Sequence, residues 1–398
     1  MSKTIFKAAR KKRLRLQARG RNRISCTASS GMKRISQLDG VRGIAILLVL
    51  VDHYFCMQVA PGSKTLLAYC KAALAFTWSG VDLFFVLSGF LIVGGLLEQR
   101  GACNYFRIFY LRRVCRIFPL YFLILIPYLC LSATAISTSP SFDWLFHDPL
   151  PDWSYTLFVQ NIFMSAHENF GPGWLVPTWS LAVEEQFYLF VPLIIYCVPA
   201  RPLPWVLAAG IVTAPVLRCL SPGFHAFVNM PWRIDALLAG ALLAWLVRRE
   251  SFVTTVRNHR RVLFGLFLAL LATTGLMTIR SLWFDGYNLC LLAALYSAFL
   301  LMAFLDTEPW LGRLLRLPAL TWLGRISYGI YLFQQPVSGL LHGLVRHSAP
   351  QLHTWPDVFT TFMAAVITLL LAQLSYSFFE QPILKFAHRF PYSPNLGK

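Results

Sequence analysis

Arg42 and His53 stand eleven residues apart in the stretch LDGVRGIAILLVLVDHYF, which is otherwise mostly apolar. At about 100° per helical residue they fall within roughly 20° of one face, and at about 1.5 Å per residue they lie about 16 Å apart along it. Asp39 is one turn before Arg42 on nearly the same side. An imidazole at that depth can take up and return a proton, and a guanidinium at the rim can hold an anion. The plainer alternatives are that Arg42 snorkels to lipid headgroups and that His53 makes one interhelical hydrogen bond. Ionisable side chains are costly inside apolar spans, which weights His53 towards chemistry.

Three more stretches carry compatible residues. WSGVDLFFVLSGFLIVGG holds Asp82 and, about two turns on, Ser88, both able to reach the depth of His53. Its Gly80, Gly89, Gly94 and Gly95 permit close helix approach. YFRIFYLRRVCRIFPLYF places Arg112, Arg113 and Arg116 within about one turn; guanidinium forks suit phosphate oxygens, although ordinary charge bias at one membrane face competes with that reading. VPTWSLAVEEQFYLFVPL puts Glu184 and Glu185 roughly two turns into an apolar helix, about 100° apart, so that one of them faces the site. Tyr188 is one turn beyond Glu184. A carboxylate beside His53 would orient the ring and stabilise its protonated form; Asp52 could do so from its own helix but points about 100° away. The candidate catalytic set is therefore His53, Glu184, Glu185 and Asp82. The candidate set for a phosphate-bearing co-substrate is Arg42, Arg112, Arg113 and Arg116. Asp39, Ser88 and Tyr188 are supporting candidates, and no metal site is expected.

These residues need elements to hold them. The chain has 398 residues, 57% hydrophobic and only 13% charged, which excludes an ordinary soluble domain. Apolar runs of about 20 residues recur, each long enough to cross a hydrocarbon core. The expected fold is all-α, a polytopic membrane helical bundle of about ten transmembrane helices, near 42–59, 78–97, 117–136, 179–198, 203–220, 231–247, 262–279, 287–305, 326–342 and 358–378. Pro192, Pro199, Pro202 and Pro204 blur the edges of the fourth to sixth. No short alternating strands of a barrel are visible.

With the N-terminus in the cytoplasm, all but six of the 36 Lys and Arg fall on the inner side. The exceptions are Lys64, Lys71, Arg218, Arg233, Arg280 and Arg346. The positive-inside rule then places both termini in the cytoplasm. The net charge of +19 is mostly this topology signal, and no basic stripe interleaved with exposed aromatics points to nucleic acid. Residues 1–37 read as a basic cytoplasmic tail, 38–380 as the membrane domain and 381–398 as a short cytoplasmic tail. Residues 1–31 contain ten Lys and Arg and no acid, which fits a tail lying on anionic lipid; a start at Met32 and an organelle presequence are the competing readings. The nine Cys, with no CxxC, support neither a disulfide framework nor a zinc site. The longest outer connection, about 137–178, carries Asp143, His147, Asp148, Asp152, His167 and Glu168 with Trp144, Trp153 and Trp174. It reads as an interfacial aromatic belt or as a platform for sugar rings. His342, His347 and His353 read as solvated loop residues.

From about 35 to 385 the chain resembles the acyltransferase-3 family of integral membrane acyltransferases. The motifs, in order, are LDGVRGIAILLVLVDH with its Arg-x10-His spacing, GVDLFFVLSGFLI, RRVCRIFPLYF, PTWSLAVEEQFYLF, PWRIDALLAGAL, LGRISYGIYLFQQPV and FFEQPIL. The resemblance implies a ten-helix fold with both termini inside. It also implies transfer of an acyl group, usually acetyl, from cytoplasmic acyl-CoA to a hydroxyl, often on a cell-surface carbohydrate such as lipopolysaccharide, exopolysaccharide or peptidoglycan, or on a small molecule. It assigns the family's Arg and His to Arg42 and His53, its basic pair to Arg113 and Arg116, its aspartate to Asp82 and its acidic motif to Glu184 and Glu185. The implied partners are a carbohydrate or lipid-linked glycan acceptor and membrane lipid, in a bacterial inner membrane. Two departures stand out. Gln334 occupies the place where the family often has a second His, and no esterase-like domain follows the last span. The competing classes are a multi-span transporter with a His/Glu proton relay, which should show two similar halves of broken helices, and the other membrane-bound acyltransferase type, whose His lies later in the chain.

Overall fold

The structure, a computed structural model, describes residues 35–59, 66–279 and 288–394. The greater part of the N-terminal tail (1–34), Lys64, Arg280 and the last four residues lie outside the described residues. Residues Ser36–Lys398 form one compact unit, helical and without strands among the described residues.

In chain order, α1 (Ser36–Val51) runs into a π turn (Asp52–Cys56), followed by α2 (Leu66–Ala73) and a 3₁₀ turn (Ala75–Ser79). Next come α3 (Gly80–Glu98) and α4 (Tyr105–Ser132). Three short helices, α5 (Asp143–Phe146), α6 (Asp152–Thr156) and α7 (Gln160–His167), form the long connection to α8 (Thr178–Cys197). Then follow α9 (Leu203–Leu220), α10 (His225–Val228), α11 (Met230–Leu246), α12 (Glu250–Asn258), α13 (Arg260–Ile279), α14 (Asn288–Leu305), α15 (Pro309–Leu315) and α16 (Pro318–Arg346). Finally α17 (Trp355–Ser375) passes through a second π turn (Tyr376–Glu380) into α18 (Gln381–His388).

A helix occupies each of the ten stretches expected to span. Seven are long and apolar enough to cross a membrane unaided, or eight if the pair bent by 101° at Leu246–Glu250 counts as one span. α1 with its π turn is long enough, but Asp39, Arg42 and Asp52 make it too charged to meet that mark. α16 is long, but Ser327, Gln334, Gln335, Ser338 and His342 are buried polar groups on it. The helix turned towards the site is the one whose sequence looks least like a span.

Two tight pairings centre the bundle: α3 with α11, and α1 with α16. Both depend on glycine. A Cβ on Gly89 would strike the Leu237 carbonyl and one on Gly240 the Val86 carbonyl, so α3 and α11 meet backbone to backbone. Gly43 and Gly324 make the same approach between α1 and α16. Gly95, expected to pack in the same way, faces open space. At the other extreme, only 6% of the apolar window of α13 is buried, against 67% for α14, so α13 lies at the periphery.

α4 starts at Tyr105, well before the expected 117, so Arg112, Arg113 and Arg116 lie on a continuous helix. α8 runs through Pro192, which does not end it. The Tyr105 and Tyr110 hydroxyls on α4 donate to the Pro192 and Leu189 carbonyls at 3.2 and 3.0 Å, tying α4 to α8 along this stretch.

The 137–178 connection is a folded cap. Tyr128 of α4 stacks on Phe146 at 5.8 Å, Trp174 Nε1 donates to the Ile124 carbonyl at 3.2 Å, and the Tyr121 hydroxyl donates to the Tyr155 carbonyl at 2.9 Å. Asn161 and Gln186 join side-chain amides between the cap and α8. Trp174 is thus core, whereas Trp153, Asp143, His147, Asp148, Asp152, His167 and Glu168 are exposed. α18 packs on α4, and residues beyond it return along the 100–104 loop, with Asn104 bonded to Pro391 and Ser393.

Candidate active site

A cavity of about 280 Å³ opens between α1, α3, α4, α8 and α16. Arg42, Arg113 and Arg116 bring positive charge to it, and Ser88, Ser180, Glu184, Tyr188, Tyr328 and Tyr331 supply polar atoms. Val81, Phe84, Phe85, Leu87 and Leu91 form an apolar wall. On α8, Ser180, Glu184 and Tyr188 recur every fourth residue and so share one face. Sequence spacing left open which glutamate faces the site; Glu184 lines the cavity.

The polar atoms are linked. The Tyr188 hydroxyl donates to Glu184 Oε2 at 3.0 Å and makes a short hydrogen bond with the Ser88 hydroxyl. Arg113 lies over the Tyr188 ring at 6.0 Å, and both Arg113 and Arg42 act electrostatically on Glu184. Arg42 pairs with Asp39 at 3.6 Å. Arg116 pairs with buried Glu380 at 3.6 Å and lies 5.5 Å from the Tyr328 ring centre. Three guanidiniums around one space repel one another, and Asp39, Glu184 and Glu380 offset that repulsion.

Other predicted residues lie elsewhere. Arg112 points away from the cavity: it donates to the Phe390 carbonyl at 3.2 Å and covers the Tyr392 ring at 4.8 Å. Glu185 sits beside Glu184 and Arg113 behind the wall, with Oε1 buried and unpartnered. Asp82 is fully buried and bonded to Arg233 at 2.9 Å. Arg233 in turn is boxed by Phe85, Trp179 and Phe227 at 5.1–5.6 Å. A second buried pair, Arg218 with Asp235 at 2.6 Å, lies on the adjoining α9 and α11. Asp82 therefore ties α3 to α11 behind the cavity. Arg218 and Arg233, counted by sequence among the cations on the outer side of the membrane, are among the most buried side chains of the described residues.

His53 lies on the π turn, outside the cavity lining, one turn past Val49. Val49 packs in a core with Val81, Phe84 and Tyr331, three residues that do line the cavity. His53 thus stands about 6 Å further along α1 from that apolar end. Neither Glu184 nor Glu185 bonds to it among the described hydrogen bonds. Its ring lies against Gln334 of α16 instead. Gln58 holds the main chain of the turn, donating to the His53 carbonyl at 3.2 Å and to Ser338 at 3.3 Å. Thr361 donates to Gln58 Oε1 at 2.8 Å, and His342 Nε2 meets Thr361 Oγ1 at 2.9 Å. A hydroxyl has one hydrogen, and Thr361 spends it on Gln58, so His342 donates through Nε2. His342 is therefore a buried structural residue, contrary to the expectation that it is solvated. Asp52 turns to Thr77 and Lys71, away from His53.

Sequence reasoning marked Gln334 only as a departure from the family's second His, and it missed Glu380, Tyr328 and Tyr331. Glu380 carried the available signal, an acid in the motif FFEQPIL within an apolar stretch.

A bundle of apolar helices enclosing a basic cavity, with a half-buried histidine beyond it, is the architecture of an integral membrane protein, and the chain belongs to the acyltransferase-3 family. The family's model, described as Acyltransferase domain, matches residues 35–377. Among curated relatives, the chain is 30% identical over 382 residues to the putative peptidoglycan O-acetyltransferase YrhL of Bacillus subtilis, covering 88% of this chain and 55% of that one. It is 27% identical over 396 residues to the peptidoglycan O-acetyltransferase OatA of Listeria monocytogenes, covering 90% and 57%. It is 25% identical over 380 residues to the putative O-acetyltransferase SACOL0978 of Staphylococcus aureus, covering 89% and 58%. The chain spans somewhat over half the length of these relatives. No solved structure matches it.

Proposed function

We propose that the chain is a membrane O-acetyltransferase that takes an acetyl group from cytoplasmic acetyl-CoA and passes it to a hydroxyl of an exported glycan. The observation that carries this reading is the cavity, where Arg42, Arg113 and Arg116 converge on the Ser88–Tyr188–Glu184 chain below His53. At about 280 Å³ it suits the thioester end of a donor rather than a whole nucleotide. The phosphates of the donor lie at the arginines, and the pantetheine arm runs along the apolar wall towards His53. Ten spans with both termini inside give this direction to the transfer, an orientation supported by the distribution of Lys and Arg. The relatives named for peptidoglycan make that polymer the first acceptor to test.

In the reaction, His53 removes the proton of the acceptor hydroxyl as its oxygen attacks the thioester carbonyl. The carbon–sulfur bond breaks, and the thiolate of coenzyme A leaves with the proton that His53 returns. The Tyr188 and Ser88 hydroxyls, now bonded to Glu184 and to each other, can serve the developing oxyanion once they turn from those partners. The test is transfer of label from radiolabelled acetyl-CoA in membrane vesicles, wild type against His53→Ala at equal expression. Label on a glycan with wild type alone supports the reading; equal labelling, or none with any acceptor, overturns it.

A further inference from the structure

Two buried atoms at the site lack partners, and they are complementary. His53 Nδ1 and Gln334 Oε1 are each shielded from solvent and unbonded. Gln334 is fully buried. Its position is fixed from both sides: its amide nitrogen donates to the Tyr331 carbonyl at 3.2 Å, and its own carbonyl accepts from the Tyr54 hydroxyl at 2.8 Å. Tyr54 in turn meets Thr368 at 2.8 Å. The amide nitrogen spends one of its two hydrogens on Tyr331, whereas the oxygen has no donor at all, so a hydrogen bond from the His53 ring to that oxygen is the pairing that satisfies both orphaned atoms. A sealed amide oxygen without a donor is costly, and so is a sealed ring nitrogen.

We propose that Gln334 is the positioning residue of His53: its amide oxygen accepts the Nδ1 proton and fixes the tautomer whose Nε2 lone pair is free. This is the orienting role that a carboxylate fills in a serine–histidine–aspartate triad, performed by a neutral group. A neutral partner suits this depth, since it adds no charge to the apolar core. It also accounts for Glu184 and Glu185 standing away from His53 and engaging the arginine cluster. The main chain of the turn is held separately by Gln58, so ring and backbone have independent supports.

The proposal rests on His53 as the base, and its test separates the two. ¹⁵N NMR of histidine-labelled protein, with the His53 signals identified by their loss in His53→Gln, reports the tautomer without any need for turnover. The expected result is Nδ1–H in wild type, kept in Gln334→Glu, which retains an acceptor oxygen, and replaced by a mixture in Gln334→Leu. In the transfer assay Gln334→Leu should lower kcat by roughly 10²–10⁴-fold, the range for a positioned base whose upper end is a base held in the wrong tautomer, with the KM for acetyl-CoA unchanged and kcat partly restored in Gln334→Glu. An Nε2–H tautomer in wild type, or the same spectrum and kcat in Gln334→Leu, overturns the proposal. The wild-type spectrum decides even where Gln334→Leu does not insert. If the tautomer is as expected and His53→Gln still transfers acetyl, the pairing stands and the assignment of His53 as base falls.

Discussion

His53→Gln keeps a similar volume and a polar end at the π turn, so the protein should reach the membrane at wild-type level. Transfer should fall by roughly 10²–10⁴-fold, the usual worth of a positioned base; product formed per amount of inserted protein checks this. The arginines can be told apart in the same way. Arg113 lines the cavity, and Arg113→Gln should raise the KM for acetyl-CoA by roughly tenfold or more, the scale of one charge-assisted hydrogen bond. Arg112 is turned to Phe390 and Tyr392, and Arg112→Gln should leave that KM near wild type. A reversed order in the two KM values would exclude the cavity as the donor site. His53, Arg42 and Glu184 are legible in the sequence because an ionisable residue in an apolar run has few structural uses. Gln334 shows in the sequence only as a departure from the family's second His; its place beside His53 does not, because a neutral amide carries no such signal. Asp82 is legible as an acid in an apolar span but its pairing is not, because nothing local to it announces that Arg233, far along the chain, will pair with it.

The helix pairs make a different kind of prediction. Gly240→Val would push a side chain into the Val86 carbonyl, and because both faces there are backbone there is nothing flexible to give way. The variant should insert poorly or lose its thermal transition in detergent, whereas Gly95→Ala, beside open space, should be silent or slightly stabilising. Asp82→Asn removes one partner of a buried pair and leaves Arg233 charged among three aromatic rings. That change should cost about 3–5 kcal/mol of stability, seen as a lowered melting temperature, with the donor KM of the surviving folded protein unchanged. Apolar length announces the helices but not their ends: α4 begins before its apolar run because Tyr105, Ile108 and Phe109 are buried against neighbours.

For the whole molecule, hydropathy identifies a membrane bundle yet underrates α1 and α16, the two helices that meet around His53. One carries Asp39, Arg42 and Asp52 and the other a polar face. The orientation expected from charge is open to a direct check. On a background otherwise free of cysteine, exposed Cys103 should react with a membrane-impermeant thiol reagent only after permeabilisation. A cysteine introduced by His147→Cys in the cap should react in intact cells. The opposite pattern would place the cap in the cytoplasm and reverse the direction of transfer.

The π turn at Asp52–Cys56 has a consequence for the history of such chains. A π turn is an α-helix with one residue more than the ladder needs, so deleting Phe55 should close the ladder and leave Val49 and the segment after the turn in their old register. Packing would survive while His53 rotates away from Gln334. A single lost codon would then yield a well-assembled, inert membrane protein, and regaining it would restore a working enzyme in one step. Insertion yield and melting temperature near wild type, with transfer abolished, would be the mark of such a reversible silencing.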